Sequence, residues 1–162
     1  SSLYTLADVI NAGCRDGELD VRGISHRGYF ASITDFKSYH DANMDLIDYK
    51  TATDLFHDNW PIYTRTNNSC PTHYFDTANV SNSVISNGSM IEGTVENSIV
   101  GRGCTIKKGA VIKNCVVLAD CTIGENVHIE NLVVDKHAKI THAKEIIRPA
   151  DEPGYIKPND TL

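Results

Sequence analysis

One six-residue phrase decides the fold. It reads Val95-Glu-Asn97-Ser-Ile-Val100, returns as Ile112-Lys-Asn114-Cys-Val-Val117 and again as Ile129-Glu-Asn131-Leu-Val-Val134, and has an earlier copy at Val80-Ser-Asn82-Ser-Val-Ile85. Successive asparagines lie 15, 17 and 17 residues apart. Through these phrases an aliphatic residue recurs every five or six positions: Val95, Val100, Ile106, Ile112, Val117, Ile123, Ile129, Val134 and Ile140. Four residues after most rungs stands a small or aliphatic residue: Ser89, Ile99, Cys104, Ala110, Val116, Cys121, Val127, Val133 and Ala138. Gly and Asn fill the intervening positions. This is the hexapeptide repeat of a parallel β-helix. A helical reading fails, because the apolar step is five or six rather than three or four.

The physical picture follows from the spacing. Each hexad makes one short strand and one corner, three hexads close a triangular coil, and coils stack about 4.8 Å apart. The rungs point into the prism, where burial of each Ile or Val contributes roughly 1.5–3 kcal/mol. Gly and Asn tolerate the left-handed backbone of tight corners. Ile123 should therefore have Ile106 and Ile140 one coil away on either side. The asparagines should stack into a ladder, read as corner geometry with amide stacking rather than as a recognition strip. Cys104 and Cys121, 17 apart, should sit one above the other as buried packing residues, since a reactive thiol needs an exposed electropositive setting. Val111 and Leu132 are read as outward-facing apolar positions, with Leu118 beside a corner.

Residues 1–50 show no such ladder. Leu3, Leu6, Val9 and Ile10 have helical spacing, with Gly13 as the stop and Asp16-Gly17 as a turn. Leu19–Ile33 reads as extended. Thr34 is placed to cap a second helix carrying Phe36, Tyr39, Asn43 and Ile47 along one face. A weaker helix is expected over Thr53–His57, and Pro61 keeps Trp60 extended. A helix–strand–helix of this size cannot close its own sheet, so 1–50 reads as the tail of a larger α/β domain. Residues 51–77 read as a connector and 78–148 as the β-helix. Pro149, Pro153 and Pro158 predict an irregular tail over 149–162. The fold class is mainly β.

Composition narrows the function. The 162 residues are 41% hydrophobic and 22% charged, which is ordinary for a globular chain. Fifteen Lys and Arg stand against 21 Asp and Glu, a formal net charge of -6. That balance argues against a nucleic-acid groove or an anionic membrane surface. No apolar run approaches a membrane span and no signal segment opens the chain. Five cysteines without a C-x-x-C pair read as reduced thiols. The expected address is cytoplasmic.

Gly28-Tyr29-Phe30-Ala31-Ser32-Ile33-Thr34-Asp35, Tyr39-His-Asp-Ala42-Asn43-Met44-Asp45-Leu46 and the Trp60-Pro61-Ile62 connector resemble the glucose-1-phosphate adenylyltransferases, also called ADP-glucose pyrophosphorylases. The resemblance runs from about Val21 to the end. It implies a left-handed coil, which periodicity alone does not show. Within that family it resembles the non-catalytic, GlgD-type subunits of bacterial glycogen synthesis. Catalytic members carry Gly-Tyr-Trp-x-Asp-Val-Gly-Thr here, and that Asp helps hold Mg²⁺. In this chain Ser32 occupies the Asp position, and a neutral hydroxyl is a poor ligand for so hard a cation. Asp35 lies three residues on, which along an extended strand is the other face. The family's glycine-rich nucleotide loop does not precede Ser1. The resemblance thus implies a chain without adenylyltransferase activity or cofactor of its own, which self-associates and joins a catalytic subunit.

Effectors of the family are phosphorylated sugars or nucleotides bound near the junction of its two domains. Arg65 in the connector, and Arg102, Lys107 and Lys108 in one early coil, are the candidates to meet a phosphate. A competing reading comes from other hexapeptide β-helices. Acyltransferases of this kind use a His base at a trimer interface, and carbonic anhydrases hold zinc with three His. The candidates for either are His73, His128, His137 and His142.

Overall fold

The computed structural model describes residues 5–162; Leu3, assigned above to the first helix, lies outside them. Its centre is a three-sided parallel β-solenoid. The first face stacks β1 (His73–Tyr74), β4 (Met90–Ile91), β7 (Thr105–Ile106), β10 (Thr122–Ile123) and β13 (Lys139–Ile140). The second stacks β2 (Asn79–Ser81), β5 (Thr94–Glu96), β8 (Val111–Lys113), β11 (His128–Glu130) and β14 (Glu145–Ile147). The third stacks β3 (Val84–Ile85), β6 (Ile99–Val100), β9 (Val116–Val117), β12 (Leu132–Val134) and β15 (Gly154–Ile156). Successive strands visit the faces in turn, so every neighbour in a sheet is one coil away in sequence.

All nine rungs from Val95 to Ile140 are fully buried. Register explains the continuity of the core: Ile123 pairs with Ile106 on one side and Ile140 on the other. Rungs step by five across the asparagine corner and by six across the other two. The shorter corner is made possible by backbone handedness. Asn82, Asn97, Asn114 and Asn131 have φ of 43°, 46°, 50° and 55°, a region costing other L-residues about 1–2 kcal/mol. Their side chains run as an amide ladder. Asn82 donates to Asn97 at 2.8 Å, Asn97 to Asn114 at 3.2 Å, Asn114 to Asn131, and Asn131 to the Arg148 carbonyl at 2.6 Å. The ladder is thus corner geometry with stacked amides.

The five-residue step also corrects the small-residue positions. At this corner the inward residue is the one after the asparagine: Ser98, Cys115 and Leu132, all buried. Ile99, Val116 and Val133 precede their rungs directly, and alternation turns them outward. Leu132 is therefore not an outward position. It faces inward in the last coil, where Gly154 leaves room for it: a Cβ on Gly154 would stand 2.7 Å from a Leu132 methyl. Val111 is half-buried on the second face.

The solenoid is longer than 78–148 at both ends. β1 lies in the expected connector. Residues 149–162 are not irregular either: β15 runs parallel to β12, and Thr161 bridges Lys139 of β13. The prolines sit in the turns, where no ladder N–H is needed, and leave Gly154-Tyr-Ile156 free to pair.

Three helices precede the solenoid. α1 (Leu6–Arg15) is capped reciprocally by Thr5 and Asp8. It does not stop at Gly13. Gly13 is internal, its carbonyl accepts from Glu18 and Leu19, and Leu19 packs against its bare Cα; Gly17, at φ 73°, takes the left-handed turn. Residues 19–33 pair with no strand. α2 (Phe36–Asp45) is capped by Asp35 rather than Thr34, because the Asp35 carboxylate accepts from the Ser38 N–H at 2.7 Å while the Ser38 hydroxyl answers the N–H of Asp35. α3 (Tyr49–Leu55) starts earlier than expected because Asp48 caps it, and ends before the His57–Trp60 bridge. No helix among the described residues is long and apolar enough to cross a membrane.

Candidate functional site

α2 is the element that ties the first half of the chain to the solenoid. It lies over β9 and β12, which explains why the outward Val116 and Val133 are buried although they lie outside the central core. Its anchor is His40, only 2% exposed. His40 Nε2 donates to the carbonyl of Asn114, 2.7 Å away, and Nδ1 lies 3.4 Å from an Asp41 carboxylate oxygen. A carbonyl only accepts, so Nε2 carries a proton. The corner that builds the asparagine ladder thus also receives the helix. Nothing in the sequence reading singled out His40, yet it lies four residues after Phe36, on the face already assigned to packing.

Beside the N-terminus of α2 opens a groove of about 670 Å³, lined by Ile33, Thr34, Asp35, Phe36, Tyr39, Leu118, Val133, Asp135 and Tyr155. Phe36 and Tyr155 stack with ring centres 4.7 Å apart and planes inclined by 22°. The Tyr155 hydroxyl donates to Asp135 at 2.6 Å. That bond holds the Asp135 carboxyl below its usual range and raises the Tyr155 phenol. Asp35 is lowered too, by the Ser38 backbone N–H and then its hydroxyl. Two ionised carboxylates and no Lys or Arg line the groove. Lys37 and Lys136 act on these two carboxylates from outside the lining.

The four basic candidates do not converge. An Arg102 guanidinium nitrogen donates to the Arg65 carbonyl at 3.1 Å, so these two residues meet where the connector crosses the corner between the third and first faces. Lys107 and Lys108 lie beyond β7 at the next corner, where Lys108 borders a hollow with Thr77, Gly109, Glu125 and Asn126. Ser32 is exposed in the unpaired segment before α2. Its hydroxyl and an Asp35 carboxylate already engaged as a helix cap do not make a donor set suited to Mg²⁺.

The histidines are dispersed as well. His73 meets Phe75 edge-on at 4.4 Å between ring centres. His128 lies 2.7 Å from Glu130 on the second face. His137 occupies a left-handed corner, φ 62°, with Asp120 3.8 Å away. His142 neighbours Thr141 at 3.2 Å. Among the described residues no three His, Cys, Asp or Glu gather as metal ligands. Cys104 and Cys121 stack as expected, their sulfurs 3.1 Å from the Leu118 carbonyl and 3.0 Å from the Asp135 carbonyl. Contact with Cys121 and then burial push the Cys104 thiol up, and burial pushes Cys115 up to about 12. Neither is a ready thiolate at neutral pH.

Comparison with known proteins agrees with this architecture. The model of the family described as GlmU-like, C-terminal hexapeptide matches residues 71–152. The chain is 38% identical over 132 residues to the glycogen biosynthesis protein GlgD of Bacillus subtilis strain 168, covering 82% of this chain and 38% of that protein. It is 36% identical over 122 residues to the glucose-1-phosphate adenylyltransferase of Bacillus mycoides strain KBAB4, covering 75% and 32%. Against the enzyme of that name from Geobacillus stearothermophilus it is 42% identical over 86 residues, covering 53% and 22%. The chain thus spans well under half the length of these relatives. With its solenoid, its repeat and these relationships in hand, the chain belongs to the GlmU-like, C-terminal hexapeptide family and is related to the glucose-1-phosphate adenylyltransferases and GlgD.

Proposed function

We propose that this chain is the regulatory and structural part of an ADP-glucose pyrophosphorylase subunit in bacterial glycogen biosynthesis. It self-associates and joins a catalytic subunit that converts ATP and glucose 1-phosphate into ADP-glucose and diphosphate. The observation that carries the reading is Ser32 in place of a carboxylate, exposed and with its neighbour Asp35 committed to capping α2. A second feature supports the assembly. Leu6, Ile24, Phe30, Trp60 and Tyr63 are all more than three-quarters exposed, a density of bare apolar side chains that calls for a covering domain. The relatives are about two and a half to four and a half times as long as the part they share with this chain, and an α/β domain of the same polypeptide would supply that cover. Arg65 and Arg102, side by side at the first coils, are the better placed pair for a phosphorylated sugar or nucleotide effector; Lys107 and Lys108 stand apart. Five free cysteines suit a cytoplasmic setting.

The test mixes full-length forms of this subunit and a catalytic adenylyltransferase. Light scattering should show a mixed oligomer, and the catalytic partner's effector response should shift. The subunit alone, given Mg²⁺, ATP and glucose 1-phosphate, should turn over no faster than a blank. Turnover by this subunit alone, or failure to bind or alter the partner, overturns the reading.

A further inference from the structure

We propose that the groove between α2 and the third face is a docking site for an arginine side chain, presented between apolar neighbours by a partner protein. The floor and the rim each supply part of the argument. Ile33, Phe36, Val133 and Tyr155 form an apolar floor. Ile33 is 58% exposed, Phe36 54% and Tyr155 37%, although α2 covers the outward aliphatics next along the same face. The groove continues that covered strip and stands bare.

The rim decides the occupant. Asp35 and Asp135 stand on it, each held in its ionised form by hydrogen bonds that leave further lone pairs free. With two carboxylates on the rim and the nearby Lys37 and Lys136 outside the lining, charge complementarity favours a positive group over phosphates, nucleotides and acidic peptides. Arginine suits the shape better than lysine. Its guanidinium is planar, weakly hydrated, stacks on aromatic rings and pairs with carboxylates through several donors at once. The Phe36–Tyr155 stack offers the ring surface, and the two carboxylates offer the acceptors. A neutral glycan would desolvate both carboxylates and return no charge. This assignment does not depend on the catalytic status of any partner.

The experiment titrates the chain with three capped tripeptides, acetyl-Leu-Arg-Leu-amide and its Lys and Glu counterparts, and with maltoheptaose, following backbone amides by NMR. The arginine peptide should give saturable shifts confined to residues 33–37, 133–136 and 154–156. The glutamate peptide should bind about tenfold more weakly or not at all. Asp135→Asn should weaken the arginine peptide about fivefold or more while leaving the remaining spectrum in place. Tyr155→Phe, which keeps the ring, should retain binding. Absent or scattered shifts with the arginine peptide, equal binding of the glutamate peptide, or saturation by maltoheptaose in its place overturn the assignment.

Discussion

At the scale of single residues the corners and the rungs make opposite demands. A rung must be apolar and of fixed volume. Ile123 is fully buried between Ile106 and Ile140, so Ile123→Asp should destabilise by more than about 3 kcal/mol, an unpaired buried charge adding to lost packing. A urea titration reads this directly, and a melting shift of only a degree or two would mean that the register is wrong. A corner must instead tolerate positive φ. Asn114, at φ 50°, should accept Gly better than Ala by about 1 kcal/mol, since both lose the amide ladder and only Ala keeps the left-handed penalty. Equal stabilities of the two variants would show that backbone handedness is not what selects Asn there. Both kinds of position were legible in the sequence, because a repeat prints its geometry once per coil. The phase of the inward small residue at the asparagine corner was not. Leu132 reads as an outward apolar residue until the five-residue step places it inside, and only Gly154, far along the chain, makes room for so large a side chain there.

At the scale of elements, α2 is held to the solenoid by few groups, and its release can be measured. His40→Ala removes the donor of the half-buried Asn114 carbonyl, a loss of about 0.5–1.5 kcal/mol. Amides of residues 36–45 should then exchange faster with solvent while the rungs keep their protection. A uniform loss of protection across the solenoid would contradict a local anchor. The Tyr155–Asp135 bond adds a pH dependence with two edges. Asp135 is lowered in the fold, so its contribution is present above about pH 4, the ordinary range of a carboxylate, and is lost as pH falls through its folded value. Tyr155 is raised, so its contribution is present below about pH 10 and is lost as pH rises through its folded value. Tyr155→Phe should flatten both edges in a pH series of melts. The helix and its apolar face were readable from spacing. The groove was not, because its far wall is β15, and three prolines made that segment look incapable of pairing.

The whole molecule divides into a solenoid with a continuous core and a leading segment whose apolar residues face outward. In limited digestion with trypsin, Arg22 and Arg27 lie in residues 19–33, which pair with no strand, and should be cut well before any site in the rungs. A first cut between β4 and β13 would reverse that order of stability. The parallel stacking has a mechanical consequence too. Because each strand's partners are one coil away in sequence, a pull on the two ends of the solenoid loads its coils in series and peels them from an end, one after another. Each released coil of 17 residues pays out roughly 60 Å of chain in exchange for about 4.8 Å of stack height. A force–extension trace should therefore climb in steps of about that size, shorter for the 15-residue coil between β3 and β6 and longer for the 22 residues between β12 and β15, a ruler whose divisions are the coil lengths written in the sequence.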